Sequence, residues 1–165
     1  MALNLELKIK VDSHAKYISV LKRIGAKDFG ILSQKDIYYK VKNGLLKLRV
    51  EKDTYTMIKY LRDETGKRWS DYELMKLEAK NPKKYLAEIF NIDTVVVKER
   101  KYWLYKNTRI HLDTVKGLGK FLELETLLVN GKSDATKRFN EIVKILNLDL
   151  TKQIHASYKN LLSGK

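Results

Sequence analysis

Apolar and polar residues alternate in one segment after another, and this pattern constrains the fold of the chain more than any other feature. In residues 3–11, Leu5 and Leu7 lie on one face while Glu6 and Lys8 lie on the other, because successive side chains of a strand point to opposite faces. The same alternation returns along most of the chain. It is typical of antiparallel sheets that have one apolar and one polar face.

The pattern predicts about eight strands with helices near the start, the middle and the end. The predicted strands cover residues 3–11, 33–41, 46–51, 55–62, 69–80, 95–105 and 108–115, and the last one follows the turn at Gly117 and Gly119 and ends at Glu125. Four helices are predicted. The first begins at Asp12 or Ser13 and the second covers residues 83–90, while the third carries Phe139 and Ile142 and the last carries Tyr158 and Leu162. Asn43–Gly44 is a strong hairpin signal. We expect an α+β fold in which the eight strands can close into an antiparallel barrel with helices packed on its outside, as a single domain over residues 1–165.

The charge balance indicates an anionic partner. The chain has 34 basic and 20 acidic residues, which gives a net charge of +14. Such an excess suits nucleic acid, an anionic membrane surface or a small polyphosphate. There is no cysteine, which excludes disulfides, thiolate metal sites and thiol nucleophiles. With no apolar run long enough for a membrane span and no signal-peptide pattern, we expect a cytoplasmic protein without a membrane partner.

One face of the predicted strands carries both acids and bases. Its charged members are Glu6, Lys8, Lys10, Lys47, Arg49, Glu51, Lys98, Arg100, Arg109, Asp113, Glu123 and Glu125. On a solvated sheet face these charges need no partner. If helices cover the apolar face, the charged face turns inward, where charge is costly unless it holds something. Basic groups would then bind a polyanion, and carboxylates would hold a divalent metal, for which Mg²⁺ or Mn²⁺ suits an all-oxygen ligand set.

Six segments, in order along the chain, resemble the CYTH superfamily. This superfamily includes the class IV adenylate cyclases and the thiamine triphosphatases and is also called the triphosphate tunnel metalloenzymes. The segments are Asn4–Lys8 (similar to a Glu-x-Glu-x-Lys signature), Gln34–Tyr39, Leu46–Arg49, Val97–Arg100, Ile110–Glu125 and Ser157–Leu162. The stretch that contains the Gly117 turn and the two glutamates is the closest match.

The resemblance implies an eight-stranded tunnel that holds a triphosphate, with roles for fourteen side chains. The implied phosphate-binding residues are Lys8, Lys10, Lys47, Arg49, Lys59, Arg62, Lys98, Arg100 and Arg109. The implied metal ligands are Glu6, Asp113, Glu123 and Glu125, and the implied catalytic residues are Lys8, Arg49 and Tyr158. Tyr158 either closes the mouth of the tunnel or packs its helix.

The chain departs from the family pattern at two places. Asn4 stands where the signature has its first glutamate, and an amide oxygen is a weaker metal ligand than a carboxylate. Lys59 and Arg62 have opposite strand parity, so both reach the tunnel only if a bulge or a strand end lies between them. The three histidines show no mutual ligand spacing and are expected to be structural, with His111 also a candidate tunnel residue (His14, His111, His155).

Three functions follow from these expectations. The first is a metal-dependent phosphohydrolase that acts on inorganic triphosphate or on a small organic or nucleoside triphosphate. The second is a class IV adenylate cyclase, which would make cyclic AMP and pyrophosphate from ATP. The third is a non-catalytic binder of nucleotides or polyphosphate. Nucleic acid is disfavoured as a partner because acids share the basic face, and a homodimer is left open.

Overall fold

Eight antiparallel strands form one closed barrel in the computed structural model, which describes residues 2–62 and 69–164. The strands are β1 (Ala2–Val11), β2 (Lys27–Tyr39), β3 (Leu45–Glu51), β4 (Thr54–Arg62), β5 (Trp69–Lys76), β6 (Ile92–Tyr105), β7 (Thr108–Val115) and β8 (Gly119–Leu127). Their order around the barrel is β1-β5-β4-β3-β2-β6-β7-β8. The N-terminal strand therefore joins two runs of hairpins, and the predicted eight-stranded antiparallel barrel is confirmed.

Four helices and one short 3₁₀ helix, Leu150–Lys152, connect and follow the strands. The helices are α1 (Ala15–Arg23), α2 (Pro82–Ile89), α3 (Lys132–Ile145) and α4 (Tyr158–Ser163). The side chain of Asn81 accepts a hydrogen bond from the Lys84 amide at the start of α2, where Pro82 occupies an allowed first-turn position. The Ser157 hydroxyl caps α4 in the same way. None of the helices in the described ranges is long and apolar enough to cross a membrane.

Strand β2 differs most from its predicted bounds. It begins at Lys27 rather than at residue 33, and its pairing with β6 shifts register between Asp28 and Ile31. Gly30 lies inside this irregularity with a φ of +84°, a conformation that side chains disfavour. Because of this interruption, the first residues of the strand do not show the regular alternation of apolar and polar side chains that predicts a strand.

The apolar face of the barrel points outward. Leu5, Leu7 and Ile9 of β1 are buried together with residues of α1 and α3, among them Leu21 and Phe139. The polar residues that alternate with them therefore face the interior of the barrel, which we call the lumen. Of the two environments that the sequence leaves open for the charged face, the enclosed one is correct.

Truncation of a helix residue at this outer core should weaken the fold strongly. Ile142 of α3 is 1% exposed, whereas Ile89 of α2 is 57% exposed. We expect Ile142→Ala to lower the free energy of unfolding by about 2–5 kcal/mol, because it removes buried methyl groups and leaves a cavity. The matched control, Ile89→Ala, should change it by less than about 0.5 kcal/mol. Urea unfolding followed by circular dichroism measures both, and equal effects would contradict the outward placement of the core.

Candidate functional site

Two adjoining chambers make up the lumen. The first, which we call the α4 chamber, is lined by Glu6, Lys8, Lys47, Lys98, Glu123, Ser157 and Tyr158 among others. The second, which we call the Asn4 chamber, is lined by Asn4, Gln34, Glu51, Tyr72, Tyr102, Arg109 and His111 among others. Arg49, Tyr60, Arg100 and Glu125 line both. These four residues mark the middle of a continuous interior.

Three bases converge on Asp36 of β2. Its carboxylate accepts hydrogen bonds from Lys47 Nζ at 2.9 Å, Lys98 Nζ at 3.1 Å and Arg49 Nε at 2.8 Å. Arg49 Nη2 adds a second bond at 2.8 Å. Burial opposes the charge of this carboxyl, but Lys47, Lys98 and Arg49 together hold the pKa of Asp36 well below its usual value. Asp36 is thus the ionised centre of a cluster of three bases.

Arg100 of β6 is the centre of a second cluster. It donates to Asp113 through Nε at 2.7 Å and Nη2 at 2.6 Å, and Nη2 also donates to Glu123 Oε2 at 2.6 Å. The Tyr158 hydroxyl donates to Asp113 Oδ2 at 2.9 Å, and Lys8 Nζ lies 3.3 Å from Glu123 Oε1. Burial and the nearby carboxylates raise the pKa of Tyr158 well above its usual value, so its phenol stays protonated.

The second cluster shows what surrounds two residues with predicted roles. Asp113 is 0% exposed, and its two oxygens accept hydrogen bonds from Arg100 and Tyr158, so in this structure it positions these two side chains. Tyr158 lines the α4 chamber at the start of its helix and cannot act as a base while protonated. Its position fits both roles that the sequence leaves open, because Tyr158 lines the α4 chamber and also packs in an apolar cluster with Phe121 and Val115.

His111, Glu123 and Glu125 form a third group. One ligand atom from each lies within 4.8 Å of the others, and no other group of three such side chains occurs in residues 2–62 and 69–164. His111 Nδ1 is 3.9 Å from Glu123 Oε2 and 3.8 Å from Glu125 Oε1, which is too long for a hydrogen bond. The adjacent strands β7 and β8 bring the group together because His111 and Glu123 are direct partners in their register.

Both glutamates of this group are ionised at neutral pH. Burial disfavours their charge, but Lys8 and Arg100 lower the pKa of Glu123 well below its usual value. The neighbouring His111 and Arg100 lower the pKa of Glu125 as well. Two enclosed carboxylates beside a buried imidazole fit a divalent cation, so the residues present match the metal that the family resemblance implies.

The structure brings most of the predicted site residues to the lumen but excludes two. Lys59 points outward from β4, with its side chain 52% exposed and its Nζ 3.8 Å from Glu73, because its inward-facing neighbour is Tyr60. Lys10 is exposed beyond the α4 chamber, and its ammonium group lies 6.0 Å from the Phe121 ring. The structure therefore leaves both side chains outside the lumen, where neither is placed to contact a phosphate bound inside it. The side chain of Arg62 lies outside the described residues.

Two other predicted residues keep their expected surroundings. Glu6 lines the α4 chamber and pairs in register with Glu125, although it is not part of the group around His111. Asn4 is 2% exposed, and its Oδ1 has no hydrogen-bond partner within the described part of the chain.

Sequence reasoning missed Asp36 and the ligand geometry of His111. The Gln34–Tyr39 segment carries the family likeness, but Asp36 receives no role until β3 and β6 place three bases around it. The sequence signal for His111 was its place on the same strand face as Arg109 and Asp113, which are candidate site residues. Its histidine neighbours in sequence are too distant to suggest a metal site.

Acids and bases are equally numerous among the described side chains of the interior. Six of each line the lumen or bond to its lining: Glu6, Asp36, Glu51, Asp113, Glu123 and Glu125 on one side, and Lys8, Lys47, Arg49, Lys98, Arg100 and Arg109 on the other. The formal charges of these twelve side chains cancel, so they contribute nothing to the net charge of +14. A polyanion that enters the lumen competes with these acids for the bases unless a metal ion or protons compensate its charge.

Sequence comparison matches the whole barrel to known proteins. A family model described as "CYTH domain" matches residues 2–158. A protein of Methanocaldococcus jannaschii that bears the name "Putative adenylate cyclase" is 28% identical over 177 residues, which cover 96% of this chain and 98% of that protein.

Comparison of folds gives the same result. A Pyrococcus horikoshii protein has a TM-score of 0.83 at 20% identity, and the match covers 96% of this chain and 98% of that one. A Hippeastrum protein, described as a "putative adenylyl cyclase" that shows a dominant triphosphatase activity, has a TM-score of 0.71 at 12% identity and covers 100% of this chain and 97% of its own. At these identities the likeness establishes a shared fold.

The buried carboxylates should make the fold sensitive to acid. The pKa values of Asp36, Asp113, Glu123 and Glu125 are lowered in the folded protein, relative to 3.8 for Asp and 4.5 for Glu. The unfolded chain therefore binds more protons than the folded one at acid pH, so these four groups should make the free energy of unfolding fall as the pH drops below about 5. Urea unfolding at a series of pH values measures this dependence.

A variant identifies the main contributor to this stability. Asp36→Asn leaves three buried bases without their shared anion and should cost about 3–5 kcal/mol at pH 7. Its acid dependence should also be weaker than that of the wild type. Asp53→Asn, at an exposed turn, is the control and should change neither quantity. An Asp36→Asn protein as stable as the control would contradict the ionised cluster.

Proposed function

Because the chain belongs to the CYTH domain family, we propose that it is a divalent-metal-dependent phosphohydrolase that cleaves a triphosphate bound inside the barrel. The observation that carries the proposal is the pair of enclosed, ionised carboxylates, Glu123 and Glu125, set among the lysines and arginines of the lumen. Enclosed acids and bases of this kind match a ligand that is itself a polyanion with a metal ion.

The bases of the lumen would bind the phosphate oxygens. Arg49 and Arg100 lie in the middle of the lumen and offer planar forks that suit phosphate, while Lys8 and Lys98 supply point charges in the α4 chamber. Glu123 and Glu125, with Glu6 beside them, would hold Mg²⁺ or Mn²⁺.

Such a metal, when bound, polarises phosphoryl oxygens and neutralises the charge that develops on the transferred group. The side chains of the lumen would meanwhile fix the triphosphate so that a water can attack in line.

Metal and triphosphate should bind cooperatively. Lys8, Arg100 and Arg109 each contact Glu123 or Glu125, at 3.3, 2.6 and 3.5 Å respectively. When these carboxylates serve a divalent cation, the three bases lose much of their attraction to them and become available to phosphate. The balanced interior thus supports a ligand that enters as a metal–triphosphate complex.

Adenylate cyclase activity is the second candidate. It is favoured by the name of the Methanocaldococcus relative and by the Ser157–Leu162 segment, which resembles the cyclase-like branch. The two reactions share the lumen and differ in the nucleophile, which is a water in hydrolysis and the ribose 3′-hydroxyl in cyclisation. We put hydrolysis first because resemblance to the cyclase-like branch does not by itself imply cyclase activity, and the description of the Hippeastrum protein, with its dominant triphosphatase activity, supports this order.

Product analysis separates these candidates. The protein is incubated with Mg²⁺ or Mn²⁺ and, in separate reactions, inorganic triphosphate, thiamine triphosphate and ATP, and phosphate, pyrophosphate and cyclic AMP are measured. Release of phosphate without cyclic AMP supports the hydrolase. Cyclic AMP with pyrophosphate supports the cyclase, and tight binding without turnover of any substrate leaves the non-catalytic binder.

Loss of one metal-holding carboxylate should abolish turnover without unfolding the barrel. We expect Glu123→Gln to reduce metal-dependent phosphate release at least about 100-fold, since it removes a negative ligand and keeps the shape of the side chain. Glu73→Gln, on the outer face beside Lys59, is the matched control and should keep full activity. Full activity in Glu123→Gln would show that the metal is held elsewhere.

Binding of triphosphate should draw a proton into the lumen. Burial and the neighbouring arginines outweigh the attraction of Asp36 and lower the pKa of Lys98 to about 7. A bound polyanion raises this pKa again, so at pH 8 binding should take up as much as about one proton. Calorimetry in buffers with different ionisation enthalpies measures the uptake.

The matched variants isolate this proton. Lys98→Met should take up less than the wild type, while Lys59→Met, on the outer face, should match it. Protons bound by the triphosphate itself contribute equally to all three titrations. Equal uptake by all three proteins would contradict the assignment to Lys98.

A further inference from the structure

We propose that the His111 imidazole is a direct nitrogen ligand of the metal, so that the site prefers Mn²⁺ and other first-row transition ions to Mg²⁺. The proposal rests on the proposed function only in that a divalent metal binds beside Glu123 and Glu125. It changes the ligand set from all-oxygen, as the sequence suggested, to mixed nitrogen and oxygen.

The position of the imidazole carries the argument. His111 is 5% exposed, and its Nδ1 is buried without a hydrogen-bond partner in the described structure. A buried ring nitrogen in this state is costly, because nearly all such groups find a partner. Nδ1 faces Glu123 Oε2 at 3.9 Å and Glu125 Oε1 at 3.8 Å, and one ligand atom from each of the three residues lies within 4.8 Å of the others, which is close enough for one ion to bond to all three. Glu123 Oε2 also accepts a hydrogen bond from Arg100, which such an ion would weaken.

The ring is held in this orientation by its neighbours. Tyr102 of β6 packs against it edge to face, with 5.4 Å between the ring centroids, and is paired with it in register. A ligand whose direction is fixed before binding loses little freedom when the metal arrives. His111 is therefore organised as a ligand and not simply as filler of the core.

The chemistry of the donors decides which metal is preferred. Mg²⁺ favours oxygen ligands and retains its waters, whereas imidazole suits transition ions. Asn4 adds to this preference, since the chain has a neutral amide where the family signature has a carboxylate. Fewer carboxylates and one nitrogen shift the site away from a hard cation.

An ion pair is the competing explanation for the same geometry. A protonated His111 would also be attracted to two glutamates, without any role in metal binding. The two explanations differ in one observable, which is a bond between the metal and a histidine nitrogen.

Pulsed electron paramagnetic resonance of the full chain tests for that bond. Metal-free protein is loaded with one equivalent of Mn²⁺ in the absence of any phosphate, and the echo modulation from nitrogen nuclei is recorded. With natural histidine we expect ¹⁴N modulation, and with histidine labelled as ¹⁵N we expect it to be replaced by ¹⁵N modulation. Modulation that does not change on labelling, or no binding of Mn²⁺, would overturn the proposal.

A matched pair of variants gives an independent test. His111→Gln should lose the histidine modulation and bind Mn²⁺ at least about 10-fold more weakly, with a much smaller change for Mg²⁺. His155→Gln, at a half-buried position outside the group, should keep both the modulation and the affinity. Circular dichroism confirms folding, and the labelled wild type keeps the proposal testable if His111→Gln does not fold. Unchanged Mn²⁺ affinity in a folded His111→Gln protein would overturn it.

The result is separable from that of the proposed function. Histidine-bound Mn²⁺ without hydrolysis of any triphosphate would uphold the ligand assignment and reject the phosphohydrolase. Hydrolysis of a triphosphate with Mn²⁺ bound only to oxygen would uphold the phosphohydrolase and reject the ligand assignment.

Discussion

The enclosure of charge inside a closed sheet is the constraint on which the rest of this structure depends. Charges removed from water are costly, and the cost is met only when each finds a partner at short range. Asp36 is stabilised by three bases, and Arg100 is stabilised by two acids, at separations of 2.6 to 3.1 Å. The Asp36 cluster links β2, β3 and β6, and the Arg100 cluster links β6, β7 and β8, so the two together span five neighbouring strands of the barrel. The same contacts that stabilise the interior thus hold its side chains in place.

A balanced interior also determines how a ligand can bind. Each base of the lumen whose side chain the structure describes has an acid close by, so a polyanion alone would compete with these acids for the same bases. A divalent cation at Glu123 and Glu125, or proton uptake by Lys98, would relieve that competition.

The chain departs from its family resemblance where the metal is expected. Asn4 removes one carboxylate from the signature, and its buried amide oxygen is left without a hydrogen bond among the described residues. His111 lies on β7 within reach of the two remaining acids, and the structure gives it a geometry that a purely structural histidine does not need. The two differences together favour a site of different metal preference over the loss of the site.

The sequence by itself determined which residues share a strand face, because side-chain alternation is a local property of the strand. From it came the eight strands, the pairing of Glu123 with Glu125, and the parity conflict between Lys59 and Arg62. The two-residue period of a strand does not reveal whether its polar face meets solvent or an enclosed interior, since both show the same alternation. Only the closure of the sheet turned the charged face inward, left Lys10 beyond the lumen, gathered three bases around Asp36 and brought His111 to the glutamates, because these contacts join residues that are far apart in the chain.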